Sequence, residues 1–170
     1  MAVDEIVSQV EEWDTDHVVI TGGEPMLFAE LIPLCARLRA IGRHVTIETA
    51  GTLFLPVACD LMSISPKSAS SAPDARHHAH WHRRHERERH RPDVIRRLLG
   101  LAEYQVKFVV DSVADLEAVR AYMEEFPEIN RERVLIMPQG TDLEQLEARA
   151  AWLKPFCEAE GFMFCPRKQI

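Results

Sequence analysis

Apolar positions recur along this chain in two rhythms. Val3, Ile6, Val7, Val10 and Trp13 fall at helical spacing and predict an amphipathic first helix with these side chains inward. Val18, Val19 and Ile20 form a short β-branched run, which reads as a strand buried on both faces. Leu27, Phe28, Leu31, Ile32, Leu34, Cys35, Leu38 and Ile41 mark a second helix, and Gly42 is placed to stop it. Residues 44–52 read as a strand and its exit loop, and residues 59–67 as another short strand closed by Pro66. Val94, Ile95, Leu98 and Leu99 predict a helix that ends at Gly100, followed by a strand over 104–110. Ser112 and Asp115 have capping-box spacing for a helix carrying Val113, Leu116, Val119, Tyr122 and Met123 inward. Residues 133–141 are strand then loop. Thr141 and Glu144 suggest a second capping box, for a last helix lined by Leu143, Leu146, Ala150 and Leu153. Residues 161–170 look like a final strand and its exit.

Six short apolar strands alternating with helices predict an α/β fold, with parallel strands joined by right-handed crossovers. No repeat or linker divides the chain, so a single domain over 1–170 is expected. Residues 68–93 break the rhythm: the SASSAP segment reads as a loop, and the stretch after it has almost no apolar content.

Composition changes this picture little. With 46% hydrophobic and 28% charged residues the chain is an ordinary globular one, and its net charge of −7 argues against a binder of duplex DNA. No direct nucleic-acid partner is expected. No apolar run approaches the ~20 residues that span a bilayer, and the acidic, amphipathic start is neither a signal nor a transit peptide, so no membrane partner and a cytoplasmic location are expected. Cys35, Cys59, Cys157 and Cys165 lack C-x-x-C spacing and read as small buried hydrophobes. His77, His78, His80, His82, His85 and His90 lie among Arg76, Arg83, Arg84, Arg87, Arg89 and Arg91. His78 and His82 have the i, i+4 spacing of a metal pair, but the interleaved arginines disfavour a cation. A solvated connection is the expected reading, with adventitious metal binding, or a tRNA or other anionic partner, as the alternatives.

One regularity carries the functional weight. Each strand is followed at once by a polar or glycine-bearing cluster: residues 21–25 (TGGEP), 48–52 (ETAGT), 63–67 (SISPK), 111–112 (DS), 137–141 (MPQGT) and 165–169 (CPRKQ). In parallel α/β folds ligands bind at the carboxyl ends of strands. The first cluster is not a P-loop, since no G-K-[ST] follows, and it is not G-x-G-x-x-G. Two glycines still expose backbone N–H and C=O groups to a ligand at close range. Glu24 beside them adds a carboxylate, which suits a ligand carrying a cationic amine and hydroxyls more than a polyphosphate.

The TGGEP segment at a strand end resembles the radical S-adenosylmethionine superfamily. Taken with VVITGGEPML, VTIETAGT, LMSISPKSA, YQVKFVVDS, VLIMPQGT and CPRKQI, in this order, nearly the whole chain resembles the 7-carboxy-7-deazaguanine synthase family. The resemblance implies a shortened TIM-like barrel of parallel strands, typically in a homodimer. It implies ring contraction of 6-carboxy-5,6,7,8-tetrahydropterin to 7-carboxy-7-deazaguanine with loss of ammonia, in the biosynthesis of queuosine and related 7-deazapurines. S-Adenosyl-L-methionine, a [4Fe-4S] cluster and Mg2+ are the implied cofactors, and a flavodoxin-like protein is the implied electron donor. Residue by residue, Thr21 would touch the substrate. Gly22, Gly23 and Glu24 would hold the methionine end of S-adenosylmethionine. Ser65, Pro66 and Lys67 would meet its polar end, and Met137, Pro138, Gln139 and Gly140 its adenosyl side. Glu48 and Thr49 would be further cofactor contacts. No catalytic residue is singled out.

The family also carries C-x-x-x-C-x-x-C well upstream of its G-G-E-P, three thiolates for three irons. Here the first cysteine, Cys35, follows the motif, and the four cysteines are too scattered to replace that set. The expectation is a piece of a synthase, lacking its cluster segment and its last few residues, and inactive as it stands. A non-catalytic remnant that keeps part of the cofactor pocket or a dimer surface is the rival reading. Another radical enzyme, such as a glycyl-radical activase, is the third.

Overall fold

The computed structural model describes residues 1–167. The part of the last polar cluster at Lys168 and Gln169 lies outside them. The chain forms two compact units, Met1–Ile64 with His90–Tyr104, and Ser65–Arg89 with the chain from Gln105 onward.

The first unit contains α1 (Val3–Glu11), β1 (His17–Ile20), α2 (Leu31–Ala40), β2 (His44–Thr49), β3 (Leu61–Ile64) and α4 (Pro92–Leu99). Its strands are parallel, with β2 in the middle: Ile20 pairs with Ile47 and Thr49 with Ile64. The period of two along β2 decides its faces. Val45, Ile47 and Thr49 are buried, while His44, Thr46 and Glu48 turn to the other side. Val7 and Val10 from α1, Leu31, Cys35 and Leu38 from α2, and Val94, Ile95 and Leu98 from α4 complete the core. At the far end of β2 the Asp60 carboxylate accepts the Val45 N–H at 2.8 Å and the Arg39 Nε–H at 3.1 Å, fixing the entry to β3.

The second unit contains α3 (Ala75–Glu88), β4 (Glu103–Val110, whose first two residues belong to the first unit), α5 (Val113–Glu125), β5 (Val134–Pro138), α6 (Leu143–Glu160) and β6 (Met163–Phe164). Its strands are also parallel, Val106 pairing with Val134 and Leu135 with Met163. Val106, Phe108, Val110, Val134 and Ile136 of the strands are buried, as are Leu116, Val119 and Met123 of α5 and Leu146, Leu153 and Phe156 of α6. Tyr122 stacks on Phe126 at 4.5 Å and meets Phe108 edge-on at 5.2 Å.

The structure departs from the sequence expectations at several points. β1 is not buried on both faces: Val19 is 56% exposed, and in its unit β1 pairs with β2 alone. A β-branched run looks the same whether it lies inside a sheet or along its edge. Leu27 and Phe28 are not on the face of α2 but exposed, because residues Pro25–Leu27 form a separate 3-10 turn capped by the Glu24 carboxylate on the Met26 N–H. Trp13 lies past the end of α1, and Val113 and Leu143 face solvent at the first positions of α5 and α6. Asp142, not Thr141, caps α6, accepting the Gln145 N–H, and α6 runs on through Pro155 to Gly161. The polar stretch is helical over Ala75–Glu88, with a break at His78. Its stability comes from Asp74 capping its first turn and from spaced ion pairs such as Arg84–Glu88, features that apolar periodicity does not register.

Candidate cofactor-binding site

In the first unit the structure brings Thr21, Gly22, Gly23, Glu24, Glu48 and Thr49 together at the carboxyl ends of β1 and β2. Glu24 organises the group. Its Oε1 accepts the Thr49 hydroxyl at 2.8 Å and the Met26 N–H at 3.2 Å, and its Oε2 accepts the Ala50 N–H at 3.0 Å. Thr49 is 3% exposed, and its hydroxyl also accepts the Gly51 N–H at 3.0 Å. One carboxylate thus joins the exit loops of two neighbouring strands. The Thr21 hydroxyl donates to Glu48 Oε2 at 3.1 Å, across the same pair of strands.

The glycine pair is then left open. Gly22 has φ +133, and a Cβ built on either Gly22 or Gly23 meets nothing within 4 Å. Both glycines, with Thr21 and Glu24, line a cleft of about 640 Å³ whose other walls include Ile6, Ile20, Phe28 and Leu31. Backbone polar groups beside an apolar wall suit a ligand with a charged end and an apolar body.

In the second unit Ser65, Pro66, Lys67 and Gln139 line a smaller, more polar cleft of about 380 Å³, together with Ser70, Asp115 and Arg167. Ser65 donates to the Lys107 carbonyl at 3.2 Å, and Lys67 is exposed. The Gln139 N–H donates to the Val110 carbonyl at 2.8 Å, continuing the β4–β5 ladder one step beyond the strand. Met137 and Pro138 are the last residues of β5, and Pro138 is buried. Gly140 lies behind Gln139, its carbonyl accepting from Arg167 at 2.9 Å.

Asp115 is the residue the sequence underrated. It is 6% exposed, and its carboxylate accepts four hydrogen bonds: from the Ser70 hydroxyl at 2.6 Å, the Asp111 N–H at 3.0 Å, the Ser112 N–H at 2.9 Å and the Ser112 hydroxyl at 3.1 Å. Burial pushes its pKa up, but these donors more than offset burial and hold it below the ordinary value. The capping-box spacing with Ser112 was the available signal. The bond to Ser70, which fixes the Ala69–Ser71 turn just beyond Lys67, had none.

The thiols offer no metal set. Burial pushes Cys35 up to about 12, with Cys59 adding to it, and burial is also the main cause that raises Cys59 and Cys157 to about 11. Among the described residues no group of three His, Cys, Asp or Glu side chains could hold a metal ion. No helix of the described residues is long and apolar enough to cross a membrane.

Parallel β-α units with an open glycine pair and an acid after a strand define an α/β protein whose candidate site lies at the carboxyl ends of its strands. The Radical SAM superfamily model matches residues 1–113. The 7-carboxy-7-deazaguanine synthase of Rhodopirellula baltica is 40% identical over 169 residues, 99% of this chain and 65% of that protein. The synthase of the same name from Halobacterium salinarum is 34% identical over 180 residues, all of this chain and 70% of that protein. Among solved structures, that of QueE from Escherichia coli superposes with a TM-score of 0.68 at 22% identity, over 98% of this chain and 64% of that one, a likeness of fold. The chain belongs to the radical SAM superfamily and, within it, to the 7-carboxy-7-deazaguanine synthase family. It spans about two thirds of the length of these relatives.

Proposed function

We propose that this chain forms the S-adenosylmethionine-binding core of a 7-carboxy-7-deazaguanine synthase. The observation that carries the reading is the open Gly22–Gly23 backbone, held in place by the Glu24 bonds to Thr49 and Ala50. Gly22 and Gly23 present their N–H and C=O groups to the amino and carboxylate end of the cofactor. Glu24 and Thr49 set that loop, and the remaining acceptor capacity of Glu24 faces the amine. Glu48 and Thr21 supply polar contacts beside it, with Thr21 toward the pterin. For Ser65, Pro66 and Lys67 at the polar end of the cofactor, and for Met137, Pro138, Gln139 and Gly140 at its adenosyl side, the proposal rests on the family resemblance alone.

S-Adenosylmethionine held there would supply hydrogen-abstracting chemistry only when a one-electron donor cleaves it; in the family this drives the contraction of 6-carboxy-5,6,7,8-tetrahydropterin to 7-carboxy-7-deazaguanine with loss of ammonia. The residues of this chain bind and orient; none of them is assigned a proton transfer. Mg2+, a homodimer, a flavodoxin-like electron donor and a cytoplasmic setting belong to the same proposal and rest on the family. The [4Fe-4S] cluster of the family does not fit the residues present, since Cys35, Cys59 and Cys157 are buried, strongly protonated thiols outside any ligand group. No step is assigned to it here. That same observation favours a second reading, in which the chain binds S-adenosylmethionine and does no chemistry.

Equilibrium dialysis with radiolabelled S-adenosylmethionine tests the core reading. The chain is expected to bind, and Gly23→Val to lose binding while remaining folded. Full affinity in the variant would sink the assignment. Anaerobic assay of the chain with a separate C-x-x-x-C-x-x-C-bearing polypeptide then separates the two readings. Formation of 7-carboxy-7-deazaguanine supports the synthase, and binding without product supports the second.

A further inference from the structure

The helix α3 carries four arginines, Arg76, Arg83, Arg84 and Arg87, with a fifth, Arg89, just past its end, against two glutamates, Glu86 and Glu88, in a chain whose net charge is −7. Its two sides are unlike. Inward, the His82 Nδ1–H donates to the Pro73 carbonyl at 2.9 Å, and His85 Nε2 lies 3.1 Å from the Ser71 hydroxyl. Arg89, half-buried just past the helix end, is held to Glu86 at 3.1 Å. Outward, His80, Arg83, Arg84 and Arg87 follow i, i+3, i+4, i+7 spacing and so form one stripe about 10 Å long. All four are exposed. Arg83 makes no ion pair among the described residues, and Arg84 and Arg87 share the single carboxylate of Glu88, at 2.9 and 2.7 Å.

At the edge of the stripe stands Trp81, 55% exposed. The Arg84 guanidinium lies 5.6 Å from its ring centroid, and the His80 ring meets it edge-on at 5.5 Å. An exposed indole beside several guanidinium groups is costly to leave facing water and has no role in the core. It is the pairing that single-stranded nucleic acid recognises: cations for phosphates and an aromatic face for an unpaired base.

We propose that the outer face of α3 docks a single-stranded RNA segment through phosphate contacts of Arg83, Arg84 and Arg87 and stacking of a base on Trp81. The acidic net charge that argues against a duplex binder hides this local excess of positive charge. The face lacks the apolar stripe that would seat a helix in a membrane surface, since Trp81 is its one large apolar side chain. An acidic peptide would satisfy the arginines and leave the indole without a partner.

The test is fluorescence anisotropy of a labelled, mixed-sequence RNA of about 20 nucleotides, titrated with the purified chain at about 50 and about 200 mM salt. Three phosphate contacts predict a slope of about −2 in log affinity against log salt, a loss of about tenfold to twentyfold between these conditions. The variant Arg83→Gln/Arg84→Gln/Arg87→Gln is expected to weaken binding at least about tenfold and flatten the slope. Trp81→Ala is expected to weaken it at least about fivefold with the slope unchanged. All four positions are exposed, and far-UV circular dichroism checks that the variants stay folded. Absence of binding by the wild-type chain overturns the proposal. So does a triple variant that binds as tightly as the parent, or equal competition by polyglutamate or by phosphatidylglycerol vesicles.

Discussion

Glu24 and Thr49 lie 25 positions apart and meet at 2.8 Å, the threonine hydroxyl donating to the carboxylate that follows the glycine pair. The bond is half-buried, and Thr49 itself is closed to solvent. Removing one member of such a pair leaves the other unsatisfied, which costs about 1–3 kcal/mol. Thr49→Val is therefore expected to destabilise the chain by about that amount. Its affinity for S-adenosylmethionine should fall as well, because Glu24 would be less firmly placed. Thr49→Ser should restore both. Urea unfolding and equilibrium dialysis on the three proteins check this, and a Thr49→Val chain with unaltered cofactor affinity would separate the bond from the site.

Two glycines at the same end of the sheet should fail in opposite ways. A Cβ on Gly23 meets nothing within 4 Å, so Gly23→Ala should unfold at the same urea concentration as the parent. Any effect of the change would appear in ligand affinity. Gly51 has φ +74, and its Cβ would overlap Ile95 Cδ1 and lie 3.1 Å from Ile64 Cγ2. Gly51→Ala should cost about 2–4 kcal/mol, from the left-handed backbone and the overlap together. Adding Ile95→Val removes the Cδ1 in the way and should recover only the overlap part. An equal cost at both glycines would contradict the packing described.

How much of this was legible in the sequence follows from what each feature rests on. The strand β2 was readable as a strand, and the structure adds that burial along it follows a period of two. The inward residues of α5 from Leu116 onward were readable from their spacing. The exposure of Val19 was not, since a β-branched run carries no mark of an edge. The helix over Ala75–Glu88 was missed because charge pairs and the Asp74 cap sustain it, with no apolar stripe to read. At the site, the glycines and Glu24 were visible as a motif. Their attachment to Thr49 and Ala50, like that of Asp115 to Ser70, is a bond between distant positions that no local pattern encodes.

Asp115 predicts a pH dependence. Its folded pKa lies below the unfolded value of about 3.9, chiefly because four hydrogen-bond donors outweigh the penalty of burial. A depressed carboxylate contributes stability that is complete above the unfolded pKa and is lost as pH falls through the folded one. Asp115→Asn is expected to lower stability by about 2–4 kcal/mol near pH 7. The gap between variant and parent should narrow as the pH drops below about 4. Urea unfolding at a series of pH values measures it. A gap that stays constant into strong acid would show that the carboxylate charge is not what holds the Ala69–Ser71 turn.

The cysteines give a last prediction, which bears on whether this chain by itself can ligate iron. The thiolate is the reactive and ligating form, so a thiol raised to about 12, as at Cys35, or to about 11, as at Cys59 and Cys157, is almost wholly protonated near neutrality. Burial also shields all three from reagents, whereas Cys165 is half-exposed. Native chain treated with iodoacetamide at about pH 8 should therefore take up one label, on Cys165, and four after unfolding in urea. Peptide mass mapping locates the labels. Rapid native labelling of Cys35 or Cys59 would mean that α2 and the approach to β3 open readily. In that case these two cysteines would have to be considered again as metal ligands.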